Sequence, residues 1–308
     1  MRTGITGATG LIGRALASEL AERGHEVVAL TRREGALTGF PPGVRSARWN
    51  PRGDGANADP AGVLEGLDAL VHLAGEPVGK RWTTARKRAI RESRVEGTKA
   101  LVAALGAARN RPSRLLAASA VGYYGARGDE ELAEDAASGH DFLAEVCREW
   151  EAAAGAARDC GIETASLRIG VVLSPQGGAL ATMLPPFRLG VGGRLGSGRQ
   201  WTAWIHLADV TAAIAHLLEA PAGSLESTYN LTSPNPVTNA AFTKALGKAL
   251  RRPTILPAPG LAMRLAFGEM ADALLLSGQR AVPGRLLAAG FQFGHPSIGP
   301  ALTDLVGS

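Results

Sequence analysis

Thr6-Gly7-Ala8-Thr9-Gly10-Leu11-Ile12-Gly13 decides the fold. It follows a short β-prone run, Arg2–Ile5, and opens an Ala/Leu-rich helical pattern that extends to about Arg23. Strand, glycine turn and helix, in that order, form the context a dinucleotide-binding fingerprint requires. Gly7 allows the tight turn after the strand. Gly10 lets the backbone approach a pyrophosphate with no side chain between them, and Gly13 lets the helix pack close to the sheet. The backbone N–H groups of the stretch through Thr9, Leu11 and Ile12, with the positive end of the helix, then face the phosphates. The glycine spacing is Gly-x-x-Gly-x-x-Gly, not Gly-x-Gly-x-x-Gly.

Outward from the turn, the second strand, His25–Leu30, ends in Thr31-Arg32-Arg33. An acidic residue about 20 residues past the turn would bind the ribose 2′-hydroxyl of NAD, whereas an arginine accommodates the 2′-phosphate of NADP. Arg32 and Arg33 stand at the strand tip, and Glu34 follows only after them. Guanidinium groups fork onto phosphate oxygens in a planar, charge-assisted geometry, so the expected cofactor is NADPH over NADH. Gly35–Gly62 is loop-rich, with a third strand near Ser46–Trp49. The apolar run Asp68–Ala74 ends at Gly75 and reads as a central parallel strand whose carboxyl end meets the ligand crevice. His72 within it reads as a hydrogen-bonded core histidine rather than a catalytic base.

Lys80–Arg94 is the most basic stretch, and Thr83 or Thr84 caps a helix that continues through Val95–Leu105. A solvated helix face, a site for an anionic substrate or cofactor phosphate, and nucleic acid are its three readings. The last lacks an interleaved aromatic platform beyond Trp82. Arg114–Ser119 is a further buried strand, His140–Ala157 a long helix, and Thr164–Leu173 a sixth strand. A Pro/Gly-rich segment, Ser174–Gly198, follows, then Trp204–Asp209, a helix near Val210–Glu219 and a short strand Tyr229–Leu231. Strands alternating with helices over residues 1–173 predict an α/β fold with a doubly wound parallel sheet.

Composition narrows the class. Among 308 residues, 45% are hydrophobic and 20% charged, as in an ordinary globular protein of one or two domains. A net charge of +5 suits phosphate-bearing ligands without arguing for nucleic acid. Two cysteines, Cys147 and Cys160, allow neither a disulfide framework nor a CxxC metal pair, so the expected compartment is a reducing cytoplasm. The six histidines form no pair at metal-ligand spacing, and no metal is expected. No apolar run reaches the length of a membrane span, and the N-terminus enters its first strand at once, so neither membrane nor signal peptide is expected.

The chain resembles the atypical extended short-chain dehydrogenase/reductases called the epimerase family, some members of which carry a cell-division-inhibitor or nucleoside-diphosphate-sugar epimerase label. The resemblance rests on Ile5–Gly13, Leu73-Ala74-Gly75-Glu76-Pro77, Arg81-Trp82-Thr83 with Ser93-Arg94-Val95, and Ser119–Gly125. It continues through Asp141-Phe142-Leu143-Ala144, Trp150-Glu151, Pro185–Gly190, Gly196-Ser197-Gly198, Trp204-Ile205-His206 and Pro236–Asn239. It implies a Rossmann NADP-binding domain, residues 1–173 plus 204–231, with a smaller, mainly helical C-terminal substrate domain, residues 174–203 plus 232–308. It implies that Thr31 and Arg32 hold the 2′-phosphate and that Leu73, Ala74 and Gly75 line the crevice. Arg94, where many extended relatives carry Asn, reaches the cofactor, and Leu173 ends the strand that flanks the nicotinamide. Such relatives dimerise through helices corresponding to those near 83–105 and 140–157, so a monomer or homodimer is expected.

The same resemblance exposes a gap. Short-chain reductases use Ser/Thr, Tyr and a Lys four residues after the Tyr. Ser119 occupies the Ser position, but aligning Trp150-Glu151 puts Leu143 and Cys147 where Tyr and Lys belong, and a one-residue shift puts Phe142 and Val146 there; neither register supplies a proton donor. Tyr123 or Tyr124, near Ser119, is then the candidate proton donor. A tyrosine without a neighbouring lysine is a poor base at neutral pH and an acceptable acid, which favours reduction of a small carbonyl or nucleotide-sugar-like substrate. The alternative is an NADPH-dependent redox-sensing or interaction module with little catalysis. His206 and Asp209 read as structural, and Arg188, Arg194 and Arg199 as contacts for an anionic small-molecule substrate.

Overall fold

The computed structural model describes residues 1–32, 38–50 and 60–307. Arg33 and Glu34, and the middle of the loop before the third crossover, lie outside the described residues. In chain order the first half runs β1 (Arg2–Thr6), α1 (Leu11–Glu22), β2 (Glu26–Thr31), β3 (Val44–Arg48), β4 (Ala69–His72), α2 (Thr84–Ala107) and β5 (Arg114–Ala120). The two-residue β6 (Glu131–Leu132), α3 (Phe142–Gly155), β7 (Glu163–Ile169) and β8 (Val171–Leu173) follow. The rest comprises α4 (Gly178–Arg188), β9 (Trp201–Thr202), β10 (Trp204–His206), α5 (Leu207–Glu219), β11 (Thr228–Leu231), β12 (Val237–Thr238) and α6 (Asn239–Leu250). Last come α7 (Gly260–Phe267), α8 (Glu269–Leu274), β13 (Arg280–Ala281), α9 (Gly284–Ala288) and α10 (Ile298–Val306).

Seven strands form one parallel sheet in the order β3-β2-β1-β4-β5-β7-β11. Near-continuous apolar strands demand cover on both faces. Leu16 and Leu20 of α1 with Val210, Ile214 and Leu217 of α5 seal one face over Ile5, Val27 and Val71. Leu101 and Leu105 of α2 with Ala154 of α3 seal the other over Val28, Leu70 and Leu115. Each fully buried leucine here contributes about 1.5–3 kcal/mol. The strand order reverses between β1 and β4, which places a crevice at their carboxyl ends.

Caps set the helices around that crevice. Thr83 Oγ1 accepts from the Arg86 N–H at 3.2 Å and starts α2. Asp141 Oδ1 accepts from the Ala144 N–H at 2.9 Å, so α3 begins at Phe142 rather than at His140. Similarly, α5 begins at Leu207, three residues earlier than its apolar pattern indicates, because His206 Nδ1 accepts from the Ala208 N–H at 3.1 Å.

The expected single strand Thr164–Leu173 is two. Gly170 donates its N–H to Leu231 O at 3.0 Å and Val171 donates to Ala203 O at 2.7 Å, so the chain leaves the main sheet there. A Cβ at Gly170 would lie 2.5 Å from Ala203 O, which only glycine avoids. Beyond the break β8 pairs with β10, and Leu173 packs with Leu184, Phe187, Trp204, Phe242 and Leu302 of the C-terminal helical layer. Among the described residues, no helix is long and apolar enough to cross a membrane.

Candidate nucleotide-binding crevice

The glycine turn forms a cradle that side chains would fill. Gly7 has φ +69°, and a Cβ there would lie 2.8 Å from the carbonyl of Leu73. A Cβ at Gly13 would lie 2.4 Å from Gly7 O. Gly10 donates its N–H to Gly7 O at 2.9 Å and acts as the N-cap of α1 with no capping side chain and no acidic residue in the first turn. The positive end of α1 is therefore left for a ligand. Thr9 and Gly10 are exposed, and Leu11 and Ile12 are half-buried. Gly177 and Gly178, after β8, lie against Leu11 and close one side of the turn.

On the β2 side, Thr31 is buried and its carbonyl accepts from the Trp49 N–H at 2.7 Å. Arg32 beside it is exposed at the strand tip. Arg14, unremarked in the sequence, braces this side by donating to Thr9 O at 3.1 Å and Thr38 O at 2.9 Å. On the β4 side, Leu73 donates to Thr6 O at 3.2 Å, and Leu73 and Ala74 are half-buried while Gly75 is exposed. His72 lies fully inside, between Thr6 Oγ1 at 2.6 Å and Thr98 Oγ1 at 3.0 Å, and burial lowers its pKa to about 4. It is neutral at pH 7 and holds β1, β4 and α2 together.

At the end of β5 the expected catalytic residues join a buried network. Ser119 Oγ donates to Glu151 Oε1 at 2.6 Å. Glu151 in turn accepts from Arg168 Nε at 2.8 Å and Nη2 at 2.9 Å. Arg168 Nη1 donates to Tyr124 Oη at 3.0 Å, and that hydroxyl donates to Asn230 Oδ1 at 2.8 Å. Tyr124 is fully buried, which raises its pKa. A hydroxyl so placed has no route to a ligand, so the structure takes Tyr124 out of the expected Tyr123/Tyr124 pair. Tyr123 is half-buried, its ring 3.4 Å from the Arg168 guanidinium carbon, and its hydroxyl makes no hydrogen bond among the described residues. Leu173, expected at the end of the strand that flanks the nicotinamide, is fully buried and packs in the C-terminal core. Cys147 lies beneath Ser119, and burial, then the Glu151 charge, pushes its thiol up to about 12.

Most of the basic stretch is spent on the fold. Arg86 Nη1 lies 3.4 Å from Glu76, Lys87 Nζ 2.8 Å from Glu269, and Arg91 pairs with Glu149. Arg94 differs: its Nη1 donates to Glu76 O at 3.0 Å and Ile90 O at 3.2 Å, and no carboxylate lies within 4.0 Å among the described residues. Its guanidinium lies against Gly75 and 5.0 Å from the centre of the Trp150 ring.

A family model described as "NAD dependent epimerase/dehydratase family" matches residues 4–232. The chain belongs to that family. A second model, described as a domain of unknown function (DUF1731), matches residues 258–305. The chain is 44% identical over 299 residues to epimerase family protein MT2273 of Mycobacterium tuberculosis, covering 97% of this chain and 95% of that one. It is 36% identical over 310 residues to human epimerase family protein SDR39U1, covering 99% and 100%. The crystal structure of the human protein, isoform 2, with NADPH superimposes with a TM-score of 0.88 at 36% identity over 99% of each chain. A nucleoside-diphosphate sugar epimerase from Corynebacterium glutamicum gives 0.75 at 37% identity, covering all of this chain and 58% of that one. UDP-glucuronic acid 4-epimerase of Bacillus cereus, at 16% identity and TM-score 0.80, shares the fold.

Within this epimerase/dehydratase-family fold, two further clusters have structural roles. Asp209 accepts from the N–H groups of Gly294 at 2.8 Å and His295 at 3.0 Å, tying α5 to the C-terminal layer. His206 stacks on His295 at 3.8 Å, with Asp304 3.3 Å from its Nε2. These three side chains come within metal-ligand reach of one another, but His206 Nδ1 already accepts a backbone N–H. The neutral ring must then carry its proton on Nε2, the atom a metal would need. Arg194 Nη1 bonds to Ser197 O at 2.7 Å, while Arg188 and Arg199 are exposed. Sequence reading missed Glu151–Arg168 as a network. The signal was present, because a charged residue inside the apolar run Thr164–Leu173 requires a buried partner.

Proposed function

We propose that this chain is an NADPH-binding reductase of the extended short-chain type, acting on a small carbonyl or nucleotide-sugar-like substrate. The cradle at Gly7 and Gly13, where a Cβ would strike backbone, carries the reading. The NADPH-bound human relative supports the choice of cofactor. Gly7, Thr9, Gly10, Leu11, Ile12 and Gly13 hold the pyrophosphate through backbone N–H groups. Thr31 and Arg32 take the 2′-phosphate, and Leu73, Ala74 and Gly75 form the floor.

A bound nicotinamide supplies hydride to a carbonyl carbon. Tyr123 provides the proton for the carbonyl oxygen, its hydroxyl having no other partner. Ser119 positions rather than donates, since its proton is committed to Glu151. The division into residues 1–173 plus 204–231 and 174–203 plus 232–308, a monomer or a homodimer through α2 and α3, and a reducing compartment for the free Cys147 and Cys160 belong to the same proposal. The compartment differs among relatives, as the Arabidopsis protein is chloroplastic.

A second reading has its own observation. With Leu143 and Cys147 in place of Tyr and Lys, and Ser119 and Tyr124 locked in a buried network, the crevice also suits a redox-sensing module that binds NADPH without turnover. NADPH oxidation followed across a carbonyl and nucleotide-sugar panel separates the two. The reductase reading expects turnover that falls at least tenfold in Tyr123→Phe. Tight NADPH binding with no oxidation on any substrate, and a partner protein retained with only one redox state of the cofactor, would replace it with the second.

A further inference from the structure

Arg94 is the one cation of the basic stretch that the structure shows half-buried at the crevice with no carboxylate partner. Burial lowers its pKa, which measures the cost of holding an unneutralised charge there. The Glu76 charge offsets that cost only in part, and no nearby carboxylate is free to pair with it. The Glu76 carboxylate is taken by Arg86, Glu149 by Arg91, and Glu151 by Arg168 and Ser119. Cys147, the remaining titratable neighbour, is a buried thiol and uncharged at neutral pH.

The free hydrogen-bonding capacity has a definite shape. Nη1 is used by Glu76 O and Ile90 O. Nε and Nη2 have no acceptor among the described residues, and neither is sealed from solvent. Together they form the planar two-donor fork that meets a carboxylate side-on. The two Nη1 bonds anchor the guanidinium, and it lies against Gly75, where a Cβ would come 3.3 Å from its central carbon and 3.4–3.5 Å from Nη2 and Nη1. Arg94 thus stands on the β4–β5 side of the crevice, beside Gly75 after β4 and near Cys147 beneath Ser119, across the β1–β4 switch point from the strand tip that carries Arg32.

We propose that Arg94 is the substrate's anion receptor and that the substrate carries a carboxylate near its reacting carbonyl. The inference rests on the reading of the crevice as a cofactor and substrate site, and it moves Arg94 from the cofactor contact that the resemblance implies to the substrate. A carboxylate is favoured over a phosphate because one guanidinium balances one charge, and Arg86, the cation whose charge acts on Arg94, is already bound to Glu76 and to Pro77 O at 2.5 Å.

Calorimetric titration of the full chain with pyruvate, which carries one carboxylate beside a carbonyl, and with inorganic phosphate, with and without NADP⁺, tests this. Pyruvate is expected to bind more tightly than phosphate, and Arg94→Gln to weaken it at least tenfold while NADPH affinity stays within twofold. Arg94→Lys, which keeps a cation but lacks the fork, is expected to lose most of the pyruvate affinity too, and covers the case in which Arg94→Gln does not fold. Equal pyruvate affinity in wild type and variants, phosphate binding more tightly than pyruvate, or a tenfold loss confined to NADPH would each overturn the proposal. If NADPH fails to bind the wild-type protein while pyruvate still requires Arg94, the cofactor reading falls and the anion receptor stands.

Discussion

The two ends of the crevice follow different rules. Around β1 and β2, backbone does the work: glycines at 7, 10 and 13, an uncapped helix terminus, and a strand tip with an exposed arginine. Around β4 and β5, side chains do the work, and apart from Arg94 and Tyr123 they are bound to one another rather than left for a ligand. Ser119, Glu151, Arg168, Tyr124 and Asn230 form one chain of hydrogen bonds running from the sheet to the C-terminal segment, where Asn230 Nδ2 donates to Val282 O at 2.9 Å. On the proposed reading, the contrast makes cofactor binding and proton transfer separable in this fold. The first depends on a turn geometry that tolerates almost no substitution. The second depends on which hydroxyl is left free.

The largest effect should come from breaking the side-chain network. Arg168→Leu leaves Glu151 with a buried, unpaired carboxylate, which is expected to destabilise the protein by about 3–5 kcal/mol. Arg168 and Glu151 are 5% and 13% exposed, so water cannot screen the loss. Chemical denaturation measures it, and a change below 1 kcal/mol would mean that the two ends are less different than the hydrogen bonds indicate. Any fraction that remains folded should bind NADPH with near-wild-type affinity, because no member of the network touches the glycine turn.

His72 sits between the two ends and sharpens the comparison by pH. Its folded pKa, about 4, lies below the ordinary 6.5, so the unfolded chain binds its proton first as pH falls. Its contribution is therefore fully present above about 6.5 and lost as pH drops towards 4, at a cost of about 3 kcal/mol. His206, whose pKa is lowered by burial and by the stacked His295, acts in the same direction. Denaturation midpoints between pH 7 and 4 should fall less steeply in His72→Gln than in wild type. Parallel slopes would mean that burial does not hold His72 neutral in the folded protein.

The difference between the ends also governs what the sequence revealed. The glycine turn was legible because its constraint is local: strand, turn and helix follow one another within thirteen residues, and each glycine has a steric reason. The sheet followed from the alternation of apolar runs and helical stretches. Tyr124 and Leu173 were not legible in the same way. Both stand beside the right strands, but their burial is decided by residues far along the chain, Asn230 for Tyr124 and Trp204 and Phe242 for Leu173. The break at Gly170 was hidden for the same reason, since Ala203, which forbids a Cβ there, is 33 positions away. Arg94 was singled out by its departure from the family pattern, but its lack of a carboxylate partner emerges only when Glu76, Glu149 and Glu151 are seen to be taken.

Two smaller substitutions probe the backbone end without disturbing the rest. Gly10→Ala is expected to fold normally, since Gly10 has φ −77° and ψ 174°, which alanine adopts, and its Cβ would meet only Gly7 O at 3.2 Å. It should nevertheless weaken NADPH by about a hundredfold, near 2.7 kcal/mol, because the methyl group occupies the path by which a pyrophosphate approaches the helix terminus. A thermal melt unchanged within a few degrees, together with calorimetry, distinguishes this from a folding defect.

Arg32→Ala should have the smallest effect and the sharpest signature. The side chain is exposed and makes no hydrogen bond or ion pair among the described residues, so stability should not change. A charge-assisted contact to a 2′-phosphate is worth about 1.5–3 kcal/mol. Its removal should therefore weaken NADPH by about ten- to a hundredfold and leave NADH, which lacks that phosphate, within twofold. Equal weakening of both nucleotides would mean that Arg32 acts on a part they share. The selectivity would then have to come from elsewhere on the β2 side, and the backbone end would no longer be the place where this chain chooses its cofactor.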